Sequence, residues 1–266
     1  MILLNGSCLE NMEKRISEAL LQIEDEHNVR IIYACESGSR AWGFASQDSD
    51  FDVRFIYVHP SDWYLSIADK RDVIEMPVDK LLDINGWDIR KTLQLLSRSN
   101  SPLMEWLVSP IKYSCIEAAV NLLLLLSKKA FLPESSFHHY LSMSRNNLPK
   151  VQDTETPGIK SYLYALRPML CCKWIRMFDR QPPILIDDLL LVFLPDTGDE
   201  IRRYVDRIIR MKKEGIELAE IDRSAIFEDY LMSQFLELSL CSFKKTAKAA
   251  LESFDVLFRN MLKIVG

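Results

Sequence analysis

The stretch ESGSRAWGFASQDSDFDVRF, residues 36–55, decides how this chain is read. Gly38-Ser39 stands a short loop ahead of acids at alternate positions, Asp48, Asp50 and Asp52. These run into the apolar pattern FDVRFIYV of residues 51–58. A short run rich in β-branched and aromatic residues, closed by Pro60 and Ser61, predicts a strand. Residues two apart on a strand face the same way. Asp50, Asp52 and Arg54 therefore share one face, while Phe51, Val53 and Phe55 share the other and can pack on helices. Carboxylates crowded together repel one another unless a positive charge sits among them.

Two familiar motifs fail against this stretch. Read as a calcium loop starting at Asp48, it places Val53 where the turn needs glycine and His59 where a bidentate glutamate is needed. Gly38 and Gly43 have phosphate-loop spacing, but Phe44-Ala45 replaces the lysine and hydroxyl that such a loop requires. A different chemistry suits the residues. Paired carboxylates on one strand face can grip two Mg²⁺ ions, which at about 3.5–4 Å apart clamp the attacking and leaving oxygens of an in-line phosphoryl displacement. The Gly-Ser ahead of them offers free N–H groups and a hydroxyl to phosphate oxygens. Asp48, in the loop, suits turn chemistry as well as it suits the site.

Outward from this stretch, residues 10–28 carry Met12, Ile16, Leu20 and Ile23 at helical spacing, and VRIIYAC (29–35) reads as a buried strand. Further strands are expected at 72–76 and 80–84, with Asn85-Gly86 as a turn and a helix from Trp87. Beyond that, segments 101–108, 115–130, 135–148, 159–180, 199–214 and 225–262 all show helical periodicity, punctuated by proline. The expected fold is α+β. A core with a small mixed sheet and flanking helices occupies residues 1–113, and an all-helical domain occupies 114–266 and closes over the site.

Composition narrows the class. The 266 residues are 48% hydrophobic, enough for a sizeable core, and the net charge of −5 argues against non-specific coating of nucleic acid. It leaves room for a nucleotide substrate or a local basic patch. Six scattered cysteines include no CxxC pair, so structural zinc is not expected, and four histidines build neither a metal cluster nor a triad. The start, MILLNGSCLENMEKR, does not read as a secretion signal, and AAVNLLLLL (118–126) is too short to span a bilayer. A cytoplasmic protein without membrane association is the expectation.

Gly38-Ser39, the loop, and Asp50-Phe51-Asp52-Val53 together resemble the signature of the DNA polymerase β-like nucleotidyltransferase superfamily. DINGWDIRK (83–91), SPLMEWLVSPIKY (101–113) and KSYLYALRPMLCCKWI (160–175) look like one branch of it, the bacterial and phage predicted nucleotidyltransferases associated with RNA ligases. The resemblance implies transfer of a nucleoside monophosphate from an NTP to an acceptor hydroxyl, with release of pyrophosphate. It implies that Gly38 and Ser39 hold the β- and γ-phosphates and that Asp50 and Asp52 bind two Mg²⁺ ions. A later carboxylate completes the metal set and helps deprotonate the acceptor. Asp83, at the end of the strand pattern LLDI, is preferred over Asp88, which suits a helix cap. An RNA end is the acceptor the branch suggests, with a protein or small-molecule hydroxyl as alternatives.

Other candidates carry two readings each. Arg40 and Arg54 suit triphosphate oxygens or a structural pair with a nearby acid. Trp42 suits base stacking or the core. Lys160, Tyr164 and Arg167, spaced to share a helical face ahead of Pro168, suit nucleotide binding or a solvated face. Arg203, Arg207 and Arg210 form a stripe that suits RNA or plain solvation. The rival from another class is a non-catalytic nucleotide sensor. A metal-dependent phosphohydrolase using the same acids is a second.

Overall fold

A computed structural model of the chain describes residues 6–77, 81–154, 157–216, 222–244 and 246–265. In chain order the elements are α1 (Gly6–His27), β1 (Arg30–Glu36), α2 (Gly38–Trp42), β2 (Phe51–Val58), α3 (Ser61–Tyr64), β3 (Val73–Pro77), β4 (Leu82–Asp88), α4 (Ile89–Leu96), α5 (Ser101–Leu107), β5 (Lys112–Cys115), α6 (Glu117–Ala130), α7 (Pro133–Gln152), α8 (Ile159–Phe178), α9 (Ile186–Phe193), α10 (Glu200–Lys213), α11 (Ala225–Ser239) and α12 (Leu251–Val265). The protein is α+β. Its mixed sheet has strand order β3-β4-β2-β1-β5, with β2 and β4 parallel and the other neighbours antiparallel. Among the described residues no helix is long and apolar enough to cross a membrane.

The chain forms two compact units. One comprises Met1–Ala41, Asp50–Ala130 and Lys248–Gly266, and the other Trp42–Ser49 and Phe131–Ala247. The sheet unit thus keeps α6 and α12, which the expected division after residue 113 assigns to the helical part. The reason is packing: α6 lies against β1 and α5, while α12 lies against α4, α6 and β2. Helical periodicity announces a buried face but not what covers it.

In the sheet unit, α1 lays Ile16, Leu20 and Ile23 on one face of the sheet, against Val53, Phe55 and Tyr57 of β2 and Ile84 of β4. The alternate residues of β2, from Asp52 and Arg54 to Ile56 and Val58, take the opposite face. The helices α4 and α12 also contact β2. This division of faces follows the strand periodicity and presents Asp52 and Arg54 away from α1.

Three local expectations are corrected. Asn85-Gly86 is not a turn but the middle of β4, and the helix expected from Trp87 begins at Ile89. Gly86 sits opposite Phe55 in the β2–β4 register, and a Cβ there would come within 2.1 Å of the buried Phe55 ring. The glycine is required by a ring on the next strand, not by a reversal of the chain. The helix expected across 225–262 is likewise two helices, α11 and α12, separated by residues 240–250. Lys80, in the strand expected at 80–84, lies outside the described residues.

In the helical unit, α8 is the central element. Tyr162, Leu163, Ala165, Leu166, Met169 and Leu170 are all buried, and α7, α9, α10 and α11 pack around it. The middle turns of this helix, residues 165–172, are buried on every side. Pro168 neither ends it nor starts a new one, since α8 continues to Phe178. The loop Trp42–Ser49 folds with this unit, and Phe44 is fully buried in its core.

Gly86→Ala should lower stability by roughly 1–3 kcal/mol in urea denaturation through overpacking. Adding Phe55→Leu should cost less than the sum of the two single changes, because the sites are in contact. A second expectation concerns pH. His59 stacks on Trp63 with ring centroids 3.9 Å apart. Burial pushes its imidazole down to about 4, and Lys70 and His27 push the same way. The unfolded chain takes up this proton near pH 6.5 and the folded chain near 4. The unfolded state therefore binds more protons between these values, and stability falls as pH is lowered through that window. Melting temperatures of His59→Phe measured across it should show a shallower fall than wild type.

Candidate active site

The site grows from the end of β1. Glu36 is fully buried, and the chain then turns through Ser37 into Gly38, which has φ +62°. Ser37 N–H donates to the Asp52 carbonyl at 2.9 Å, and Asp52 N–H donates to Glu36 Oε1 at 2.7 Å. The Asp52 main chain is therefore held through both its carbonyl and its amide. A Cβ on Gly38 would lie 2.3 Å from Asp52 Oδ2. Glycine is needed here twice, for the left-handed backbone and for the approach of the carboxylate. Ser39 follows as the second residue of α2.

On β4, Asp83 is the register partner of Asp52 across the parallel pairing. The Arg54 guanidinium joins them, donating through one nitrogen to Asp52 Oδ1 at 3.0 Å and pairing with Asp83 Oδ2 at 2.8 Å. Its other terminal nitrogen donates to the carbonyls of Val53 and Asp83. The positive charge that the acids demand is thus present within the chain itself. Asp83 retains 59% side-chain exposure and Asp52 33%, so both carboxylates remain accessible. Asp50 is exposed just before β2. Its carbonyl accepts from Arg40 Nε at 3.1 Å, and the Arg40 guanidinium lies 3.7 Å from the Phe51 ring centroid.

Asp88 has a different task. It is 1% exposed and caps α4 by accepting from Arg90 N–H at 2.7 Å, while Tyr64 Oη–H donates to its other oxygen at 2.7 Å. Burial raises its pKa, against the hydrogen bonds from Tyr64 and Arg90. Of the two candidates for the third carboxylate, Asp83 is the one beside Asp52.

Lys160, Tyr164 and Arg167 lie on α8 in the helical unit. Lys160 is exposed, with its ammonium 5.5 Å from the Tyr164 ring. Tyr164 meets Trp42 edge-on at 5.3 Å. Arg167 is 1% exposed, donates to the Ile184 carbonyl at 2.9 and 3.2 Å, and lies 4.4 Å from the Trp42 ring. The shared face is therefore graded from solvent to core. Of the stripe on α10, Arg203, Arg207 and Arg210 are exposed, and Arg207 pairs with Asp222 at 3.7 Å.

The donor set bears on metal binding. Asp52 and Asp83 converge on one cationic group, and their hard oxygens suit Mg²⁺. Among the described residues no group of three or more His, Cys, Asp or Glu is gathered closely enough to hold a metal ion. The pair Asp52–Asp83 fits a cation, with Arg54 now bridging it. Sequence reasoning missed Glu36, although it stands at the head of the decisive stretch. Its signal was an acid ending an otherwise apolar strand. Burial pushes its carboxyl up to about 7, although hydrogen bonds from Tyr113 and the Asp52 amide oppose the shift.

A Gly-Ser turn packed against an aspartate of a mixed sheet, with a second aspartate beside it, is the arrangement expected of a polymerase β-like nucleotidyltransferase. The profile of the RNA repair pathway DNA polymerase beta family matches residues 12–260, and the chain belongs to that family. Its kind of reaction is therefore nucleotidyl transfer. Among relatives, the chain is 42% identical over 237 residues to the uncharacterized protein YcgL of Bacillus subtilis (strain 168), covering 89% of this chain and 88% of that one. Among solved structures, a nucleotidyltransferase-like protein from Exiguobacterium sibiricum matches with TM-score 0.30 and 14% identity, over 84% of this chain and 73% of the other.

Gly38→Ala should force the Asp52 carboxylate away from the turn. Urea denaturation should show a loss of roughly 1–3 kcal/mol, from backbone strain and the clash together. A crystal structure of the variant should show the Asp52–Arg54 contact broken. An unchanged midpoint with Asp52 in place would contradict the packing described here.

Proposed function

We propose that this protein transfers a nucleoside monophosphate from an NTP to the hydroxyl of an RNA end. The observation that carries this reading is the convergence of Asp52 and Asp83 on one cation beside Gly38-Ser39. RNA as acceptor is supported by membership of an RNA repair family.

In this reading Asp52 and Asp83 would hold Mg²⁺ where Arg54 bridges them, and Asp50 would have to join them from its exposed position just ahead of β2. Such ions supply activation of the acceptor oxygen and charge stabilisation on the departing pyrophosphate. Asp52 is pre-positioned for that task by its main-chain hydrogen bonds, and Asp50 and Asp83 bring exposed oxygens. The Gly38 amide and the Ser39 hydroxyl hold β- and γ-phosphate oxygens, and Arg40 offsets their charge. The acceptor oxygen forms a bond to the α-phosphorus as the bond to the bridging oxygen of the leaving pyrophosphate breaks. The acceptor's proton passes to a carboxylate, for which the accessible Asp83 is suited. No covalent intermediate is needed. Lys160, Tyr164 and Arg167 are the nucleotide-binding candidates of the helical unit, with Lys160 exposed and Arg167 buried beside Trp42 and Tyr164.

The test is incubation with each labelled NTP, Mg²⁺ and total RNA. Label should enter RNA with release of pyrophosphate. Asp52→Asn and Asp50→Asn should each reduce this by ~100-fold or more, on the scale of losing one electrostatic stabiliser of a transition state. Label entering protein or a small molecule would move the acceptor. NTP hydrolysis without labelled acceptor would indicate a phosphohydrolase, and nucleotide binding without turnover would indicate a sensor.

A further inference from the structure

Glu36 is an acid with no assigned part in the reaction, yet it is fully buried at the end of β1. A buried carboxylate is costly for a fold, and an apolar side chain of similar volume is often cheaper. Its contacts show where it acts. Oε1 accepts the Asp52 N–H at 2.7 Å, and Oε2 accepts from the hydroxyl of Tyr113 on β5. The Glu36 main chain is fixed as well: its carbonyl accepts from Ser109 Oγ at 2.7 Å, and its N–H donates to the Ile111 carbonyl at 3.0 Å. One carboxylate therefore links β5 to the amide of Asp52, while the oxygens of Asp52 stay turned to Gly38 and Arg54.

We propose that Glu36, held by Tyr113, is a positioning residue that sets Asp52 for cation binding without touching the cation itself. Groups that orient a metal ligand in this way typically change metal affinity 10–100-fold when removed. The inference rests on the metal-dependent reading above and extends it to the residues behind the site.

The experiment uses the full chain without nucleotide and has two readouts, Mn²⁺ affinity by electron paramagnetic resonance and hydrogen exchange of the Asp52 amide by NMR. Glu36→Leu should weaken Mn²⁺ binding about 10–100-fold and speed exchange at Asp52. Glu36→Gln keeps an acceptor oxygen and should stay within roughly threefold of wild type, a rescue that a merely space-filling role would not produce. Tyr113→Phe leaves the Oε1 contact intact and should weaken Mn²⁺ several-fold with the fold kept, so it carries the test if Glu36→Leu does not fold. Unchanged Asp52 exchange in the folded variants, or faster exchange with unchanged Mn²⁺ affinity, overturns the inference alone. A wild-type chain whose Mn²⁺ binding is absent or indifferent to Asp52→Asn overturns the metal-dependent reading, and the inference with it.

Discussion

The parallel pairing of β2 with β4 is the constraint on which this site depends. It sets Asp52 and Asp83 side by side in register. Two carboxylates about 5 Å apart repel by roughly 1 kcal/mol in water-like surroundings and roughly 3 kcal/mol at an effective dielectric near 20. With both side chains partly exposed that cost is one a fold can carry, and a cation between the acids offsets it. Arg54 intervenes from the same face of β2, two residues beyond Asp52, where strand geometry must put it. The acids and their neutralising group are thus one design, written into alternate positions of a single strand and completed by its neighbour.

This explains which parts of the site were legible in the sequence. The face shared by Asp52 and Arg54 follows from a two-residue period, so it could be read from DFDVRF alone. The position of Asp83 required a second strand, and LLDI supplied its pattern. Asp88 read as a cap because a carboxylate ahead of a helical run satisfies its free amides, and it does so for α4. Gly86 misled for the opposite reason. Its cause is Phe55, on another strand, and no local rule distinguishes a glycine that turns the chain from one that clears space for a distant ring. The joined reading of 225–262 failed similarly, since residues 240–250 contain neither glycine nor proline to mark the break.

Buried polar groups were the least legible. Glu36, Asp88 and Lys212 are each at most 3% exposed, and although the sequence marks Glu36 as an acid ending an apolar strand and Asp88 as a cap, it does not mark them as buried. Each is explained by partners remote in sequence: Tyr113 for Glu36, Tyr64 for Asp88, and Ser46 and Ser49 for Lys212. Burying such groups is tolerable only when their hydrogen bonds are made. A buried acid or base is therefore a record of a three-dimensional requirement, and Glu36 records one that lies directly behind Asp52.

The same reasoning reaches the loop between the Gly-Ser and the acids. Its length permits the motif, but its shape is imposed by the helical unit with which it folds. Phe44 enters that unit's core, Trp42 contacts both Tyr164 and the Arg167 guanidinium, and Lys212, 166 positions from Ser46, donates to both loop serines. Tyr164 and Arg167 belong to KSYLYALRP, one of the segments that resemble the nucleotidyltransferase branch. Their packing gives that resemblance a physical content. The downstream segment supplies the aromatic edge and the cation on which Trp42 of the loop packs.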